Sequence, residues 1–222
     1  MTLMADTNMT DDWIKKACER NPIRVLDSGN ILLCPTRGSF LNLFERSKPI
    51  PPATEGSYGG NLIFPTCADL KVLEQSVIDV LKEKCPDALS PDPKKRVKVK
   101  SPFKDQGDML KYDGYVEGGK FISATSRKNK PSLVQGKAGV DPKDWPIITD
   151  ETLVYPGVWV VCTVRPFWYD KGVNKGVSFG LQSVVLFADD KNLGGGGGGN
   201  VAADFAGVNI DAGDVDTSGL FD

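Results

Sequence analysis

Val158-Trp-Val-Val-Cys-Thr-Val-Arg-Pro-Phe-Trp-Tyr169 and Lys175-Gly-Val-Ser-Phe-Gly-Leu-Gln-Ser-Val-Val-Leu-Phe-Ala188 are two long runs of β-branched and aromatic residues. Between them lies Asp170-Lys-Gly-Val-Asn174, a cluster of turn-forming residues, and this arrangement predicts an antiparallel hairpin. Side chains alternate across a strand, so each run divides into two faces. Val158, Val160, Cys162 and Val164 form a wholly apolar set that belongs in a core. Trp159, Val161, Thr163, Arg165, Phe167 and Tyr169 form the opposite set, in which rings mix with a cation and hydroxyls. In the second run Val177, Phe179 and Leu181 read as core. Gly176, Ser178, Gly180 and Gln182 make a smooth polar face that a nucleotide backbone can approach closely.

Working outward, Lys120 to Ser126 has the same character. Ile122 and Ala124 point in, whereas Phe121, Ser123 and Thr125 point out and lead to Arg127 and Lys128. Each outward aromatic has two readings: a platform for unpaired bases, or the closure of a second layer of a barrel or sandwich. Asn30 to Phe40 and Ser57 to Phe64 read as further strands, separated by the proline-rich Pro49-Ile50-Pro51-Pro52. Thr66 to Lys84 is the one long helix, with Leu70, Leu73, Val77, Val80 and Leu81 at helical spacing, two lysines in its last turn and Pro86 after it. A short helix over Thr10 to Arg20 begins at Thr10, with Asp11 and Asp12 in its first turn. The chain is therefore mainly β.

Charge is segregated along the chain. The 222 residues carry 27 Lys+Arg and 29 Asp+Glu, a net charge of −2. From Asp189 onward seven acids face one base, which leaves the body with 26 bases against 22 acids. Between Lys94 and Lys137 twelve bases face four acids. A sequence pI of about 5.3 thus averages a cationic body with an anionic tail. A local excess of this size suits a polyanion such as nucleic acid. The tail follows a spacer, Gly194 to Gly199, and ends in Asp214, Asp216, Leu220, Phe221 and Asp222. Carboxylates and an apolar anchor on a flexible spacer build no core; they compete for a basic groove or are grasped by a partner protein.

Several function classes are excluded or disfavoured. The chain has no histidine, so Ser-His-Asp and Cys-His nucleophilic sites and His-liganded metal centres are ruled out. Its five cysteines are scattered, with no C-x-x-C pair, and read as free thiols in a reducing compartment. Gly136-Lys137 is followed by Ala138, and the glycine run matches a dinucleotide fingerprint only trivially. Asp105, Asp108 and Asp113 lie among turn residues, where aspartate serves local hydrogen bonding. Neither a secretory signal nor a stretch of the roughly 20 apolar residues that span a bilayer is apparent. No enzyme activity, metal or cofactor is expected.

Arg37-Gly-Ser-Phe40, Tyr58-Gly-Gly-Asn-Leu-Ile-Phe64-Pro65 with its following helix, Gly107-Asp108, Gly119-Lys-Phe-Ile-Ser-Ala124, Pro131, Gly157-Val-Trp159 through Tyr169, and Lys175-Gly-Val-Ser-Phe-Gly-Leu-Gln182 occur in order. In order and spacing, the chain resembles the OB-fold single-stranded-DNA-binding proteins of tailed bacteriophages over roughly residues 30 to 190. The resemblance implies a mainly β OB-fold, a five-stranded Greek-key barrel with one intervening α-helix and a disordered acidic C-terminal tail. It places an N-terminal extension at 1–22, the nucleic-acid-binding domain at 23–190 and the Gly-rich linker and tail at 191–222. Here the tail aromatic is penultimate, with Asp222 after Phe221.

The implied function is coating of single-stranded DNA without sequence preference in phage replication, recombination and repair, in the cytoplasm of the infected bacterial host. Lys98, Lys100, Lys104, Arg127, Lys128, Lys130 and Arg165 are the expected phosphate contacts, and Phe121, Phe167, Tyr169 and Tyr112 the expected stacking rings. The tail residues are expected to engage replication proteins such as polymerase or helicase, and the oligomeric state is monomer or dimer. Two other readings stand beside this one: a virion structural protein with a β-barrel body, and an RNA-binding OB-fold protein.

Overall fold

The computed structural model describes residues 9–49, 51 and 54–194. Its fold is mainly β sheet with two α-helices. The hairpin is its spine: β8 (Trp159–Lys171) pairs antiparallel with β9 (Asn174–Ala188) along their full length, and Gly172-Val173 alone make the turn. Gly172 takes φ +69°, which glycine adopts without penalty, and the Asp170 carboxylate accepts its N–H at 2.9 Å. The paired run is longer than the sequence suggests because Lys171 and Asn174, read as turn residues, are its last pair.

Around this spine, β3 (Thr36–Asn42) pairs with β8, β4 (Tyr58–Ile63) with β3, and β6 (Lys120–Ser126) with β4, all antiparallel. β6 then runs parallel to β9 through Ala124–Phe179 and Thr125–Gly180. These pairings return to the hairpin from which they start. Further along, β9 exchanges β6 for β7 (Ser132–Gln135), again parallel. Short strands β1 (Arg24–Val25), β2 (Ile31–Leu32) and β5 (Phe103–Asp105) extend the sheet. Sequence periodicity misses β1, β5 and β7 because each has four residues or fewer, and β5 and β7 follow directly on prolines.

The expected core faces are buried as read: Val158 just before β8, Val160, Cys162 and Val164 on it, Val177, Phe179 and Leu181 on β9, and Ile122 and Ala124 on β6. α2 (Lys71–Lys84) lays Leu73, Val77 and Leu81 on this core, one apolar residue per turn. It starts five residues later than its apolar spacing predicts, because the Asp69 carboxylate accepts the Lys71 N–H at 3.1 Å and Ala68 closes a turn on Pro65. α1 (Asp11–Arg20) is capped by the Thr10 hydroxyl, which accepts the Trp13 N–H at 3.3 Å.

The opposite face of β8 is divided, which corrects one expectation. Trp159 and Val161 are buried, not displayed. Trp13 of α1 packs edge-on against Trp159 at 6.1 Å and lies 5.8 Å from Phe187. The Trp159 indole N–H donates to the Asp190 carboxylate at 2.8 Å, and Arg37 pairs with the same carboxylate at 3.1 Å. Thr163 is partly exposed, and from Arg165 outward that face opens to solvent.

Residues 106–119 fold over the end of β6, organised by one side chain. Gln106 is fully buried; its amide donates to the carbonyls of Phe64 and Lys120 at 2.9 Å each and accepts the Val116 N–H at 2.9 Å. Gln106→Leu keeps the approximate volume but takes a hydrogen bond from the Phe64 carbonyl and the Val116 N–H, whereas the Lys120 carbonyl keeps the Phe64 N–H at 3.0 Å. At about 1–3 kcal/mol for each unsatisfied group, we expect a loss of at least about 2 kcal/mol in urea unfolding; a loss below about 1 kcal/mol would show that the loop does not depend on this amide.

Candidate nucleic-acid interface

Beyond the divided face of β8 lies a groove of about 980 Å³. One flank is the segment Lys100 to Lys104, the other the end of β6 with the turn to Pro131, and the far ends of β8 and β9 complete it. Cross-strand partners on β8 and β9 share a face, and here large residues stand opposite small ones: Arg165 faces Gly180, Phe167 faces Ser178 and Tyr169 faces Gly176. No neighbour of comparable size covers the rings. Phe167 is 44% exposed and Tyr169 partly so. Gly176 is required for a second reason. The Lys100 N–H donates to the Lys175 carbonyl at 2.9 Å, and a Cβ at position 176 would collide with the Lys100 carbonyl.

Among the described residues six cations line the groove, Lys100, Lys104, Arg127, Lys128, Lys130 and Lys171, and no carboxylate does. None of the six forms an ion pair among the described residues, whereas Lys16, Arg37, Arg46, Lys71, Lys82, Lys84, Lys120 and Lys143 all do. The Ser126 hydroxyl donates to the Asn129 carbonyl at 2.6 Å and holds the turn that presents Arg127 and Lys128. Lys104 donates to the Ser123 hydroxyl at 2.9 Å and sits 5.5 Å above the Phe121 ring. Desolvation holds its ammonium below the ordinary lysine range. A concentrated set of uncompensated positive charge beside exposed rings suits a chain carrying both phosphates and bases.

The family model described as "Enterobacter phage Enc34, ssDNA-binding protein" matches residues 29–216. The chain belongs to that family. Among solved structures it is similar to the single-stranded DNA-binding protein of bacteriophage Enc34 in complex with ssDNA, at 20% identity and a TM-score of 0.62, covering 78% of this chain and 94% of that one. A C-terminal truncation of the same protein gives 18% identity and a TM-score of 0.53, covering 78% and 93%. At these identities the likeness is one of fold. No curated protein sequence matches the chain.

In this family member the groove brings together seven of the expected contacts: Lys100, Lys104, Arg127, Lys128, Lys130, Phe167 and Tyr169. Lys98 is exposed but lies upstream of the flank. Arg165 turns away and donates to the Ser28 carbonyl at 3.0 Å. Tyr112 is exposed in the 106–119 loop, apart from the groove lining. Lys171 joins the lining although the sequence reading places it in the turn; the regular alternation continuing past Tyr169 is the signal for it. Asp214, Asp216, Leu220, Phe221 and Asp222 lie outside the described residues.

Asp105 is committed to local structure: its carboxylate pairs with Lys120 at 2.9 Å, accepts the Gly107 N–H at 2.9 Å and is held below the usual carboxylate range, chiefly by the Lys120 bond. Among the described residues no His, Cys, Asp or Glu cluster could hold a metal ion, and no helix is long and apolar enough to cross a membrane.

Phe121 requires a correction. Its side chain is on the outward face of β6 as read, but it is only 3% exposed. Tyr115 from the overlying loop packs edge-on against it at 5.3 Å, with Ile63 alongside, and together they form a second, smaller core. No base can stack there. Phe121→Ala is therefore expected to cost about 3–5 kcal/mol of stability, as for a buried ring; a fully stable variant with weakened nucleic-acid binding would restore the platform reading.

Proposed function

We propose that this protein coats single-stranded DNA without sequence preference in phage DNA replication, recombination and repair, and that its sheet is an OB-type barrel. The pairing circuit supports the barrel: β3, β4, β6, β9 and β8 close on themselves, with β6 and β9 parallel. In such barrels the second and third strands and the loop joining the fourth and fifth bind oligonucleotides, and the groove lies at β6 and at the β8–β9 turn. The observation that carries the function is the set of six unpaired cations around two open rings.

Bases stack on Phe167 and Tyr169 through faces that every base possesses, so sequence is not read. The lysines and Arg127 neutralise phosphates, and the small residues of β9 admit the backbone between them. Duplex hides its base faces and is excluded, so binding draws hairpins open by mass action. No catalytic step and no cofactor enters this scheme. Titration with oligo(dT), the matching duplex and oligo(U) tests it; preference for the duplex would end it, and equal oligo(U) binding would favour the RNA reading.

If four to six phosphates are neutralised, log K against log salt should slope at about −3 to −4, taking about −0.7 per phosphate. Phe167→Ala and Tyr169→Ala should each weaken oligo(dT) binding by about 1–3 kcal/mol at unchanged Tm. A flat salt dependence, or rings that matter only to folding, would contradict the groove.

Lys104 gives a pH signature. Burial lowers its pKa from the ordinary 10.5 in the free protein, and a phosphate beside it restores the charged form. The complex thus retains a proton that the free protein loses as pH rises, so affinity should fall once pH enters the range between the depressed and restored values. Lys104→Met should remove that component of the pH dependence, measured by titrations between neutral and alkaline pH; identical profiles for both proteins would refute it.

A further inference from the structure

Phe40 is the one non-glycine among the described residues with positive φ, at +52°. Phenylalanine disfavours that conformation, and burial does not account for it, since the ring is 46% exposed. The surroundings hold it there. Phe40 sits in a bulge of β3 between Ser39 and Asn42, and the Asn42 amide donates to its carbonyl at 3.0 Å. That carbonyl passes so close to Gly60 that a Cβ there would lie 2.9 Å away. The bulge delivers the ring to Tyr112, 39% exposed, which meets it edge-on at 5.1 Å, with the Lys111 ammonium 4.9 Å from the Tyr112 centroid.

This pair lies on the groove's side of the sheet. Ser123 lines the groove; it pairs across β6–β4 with Asn61, and Asn61 pairs across β4–β3 with Ser39, next to Phe40. The Ser123 hydroxyl donates to the Asn61 side chain at 2.7 Å, and Asn61 donates to the Tyr115 hydroxyl at 3.1 Å, so the intervening strip is polar and already ordered. Two strand spacings, about 10 Å, separate Ser123 from β3.

We propose that Phe40 and Tyr112 form a second base-stacking platform, which extends the single-strand path from the groove across β6 and β4. The inference rests on the single-strand-binding reading of the groove. Its chemistry differs from the groove's. Asp108, Asp113 and Glu117 outnumber Lys111 in the loop that carries Tyr112, so this platform contributes stacking and almost no phosphate neutralisation. Phe40 is held out by its backbone before a ligand arrives, and little ordering is lost on binding.

Oligo(dT) of two lengths separates the platforms: about 6 nucleotides, enough for the groove, and about 20, beyond the roughly 4–16 that one such fold covers. Phe40→Asn removes the ring and puts a residue tolerant of positive φ in its place; Tyr112→Ala removes the second ring. Each should lower affinity for the longer strand by about 5- to 150-fold, the worth of one stacked base. Affinity for the shorter strand, the salt slope and Tm should be unchanged, and Tm should not fall for Phe40→Asn. Unchanged affinity for the longer strand, or an equal loss at both lengths, overturns the second platform and leaves the groove standing. Failure of the unsubstituted protein to bind either length overturns the groove reading, and this one with it.

Discussion

Pairing of β8 with β9 over their full length constrains everything else. One face of that ribbon is apolar from Val160 to Trp168 and is buried over most of that length, which fixes the register of every strand packed against it. The other face is free to differ along its length, and it does. Near Trp159 it is sealed by Trp13, Phe187 and the Arg37–Asp190 pair. Past Arg165 it is left open, with each large residue opposite a small one. Stability is drawn from the first half of the ribbon and a ligand surface from the second, without a separate domain for either.

Electrostatics follow the same division. Unpaired cations gathered in one groove repel one another and weaken the folded state, whereas pairing them with surface carboxylates would contribute at most about 1 kcal/mol each. The chain forgoes that small gain where it has most use for free charge. Lys104 is the clearest case: partly desolvated, bonded to a neutral hydroxyl and kept from any carboxylate. The negative charge that balances the molecule is carried from Asp189 onward; within the described residues Asp189 accepts the Tyr155 hydroxyl, and Asp190 is spent on Arg37 and Trp159.

Much of this was legible in the residues. Alternation identified the core faces of β6, β8 and β9, and the excess of bases between Lys94 and Lys137 pointed to the groove flanks. Alternation alone, however, states which way a side chain points and not what later covers it. Phe121 and Trp159 both point outward as read, yet one is roofed by Tyr115 and the other by Trp13. The covering residues lie on a loop and a short helix with no periodic relation to the strand beneath. Short strands β1, β5 and β7 escaped for a related reason: each is held by pairing to a longer neighbour, so its own residues need carry little strand signal. Arg165 shows the same limit at smaller scale, since a backbone carbonyl of the Ser28 turn reorients a side chain whose face was read correctly.

Several breaks of local preference fall on the groove's side of the molecule. The buried faces obey those preferences: apolar alternation, capped helices, and no buried side-chain polar atom without a partner among the described residues. The departures are the unpaired groove cations, exposed Phe167 and exposed, positive-φ Phe40. Each lowers stability in isolation, and none is explained by packing. A chain locally consistent everywhere else tolerates such costs where a ligand offsets them. On the proposed reading that ligand is a phosphate for the cations and a base for the rings. The strip between them, from Ser123 through Asn61 to Tyr115, has its hydrogen bonds already satisfied, so a strand crossing it displaces no internal contact.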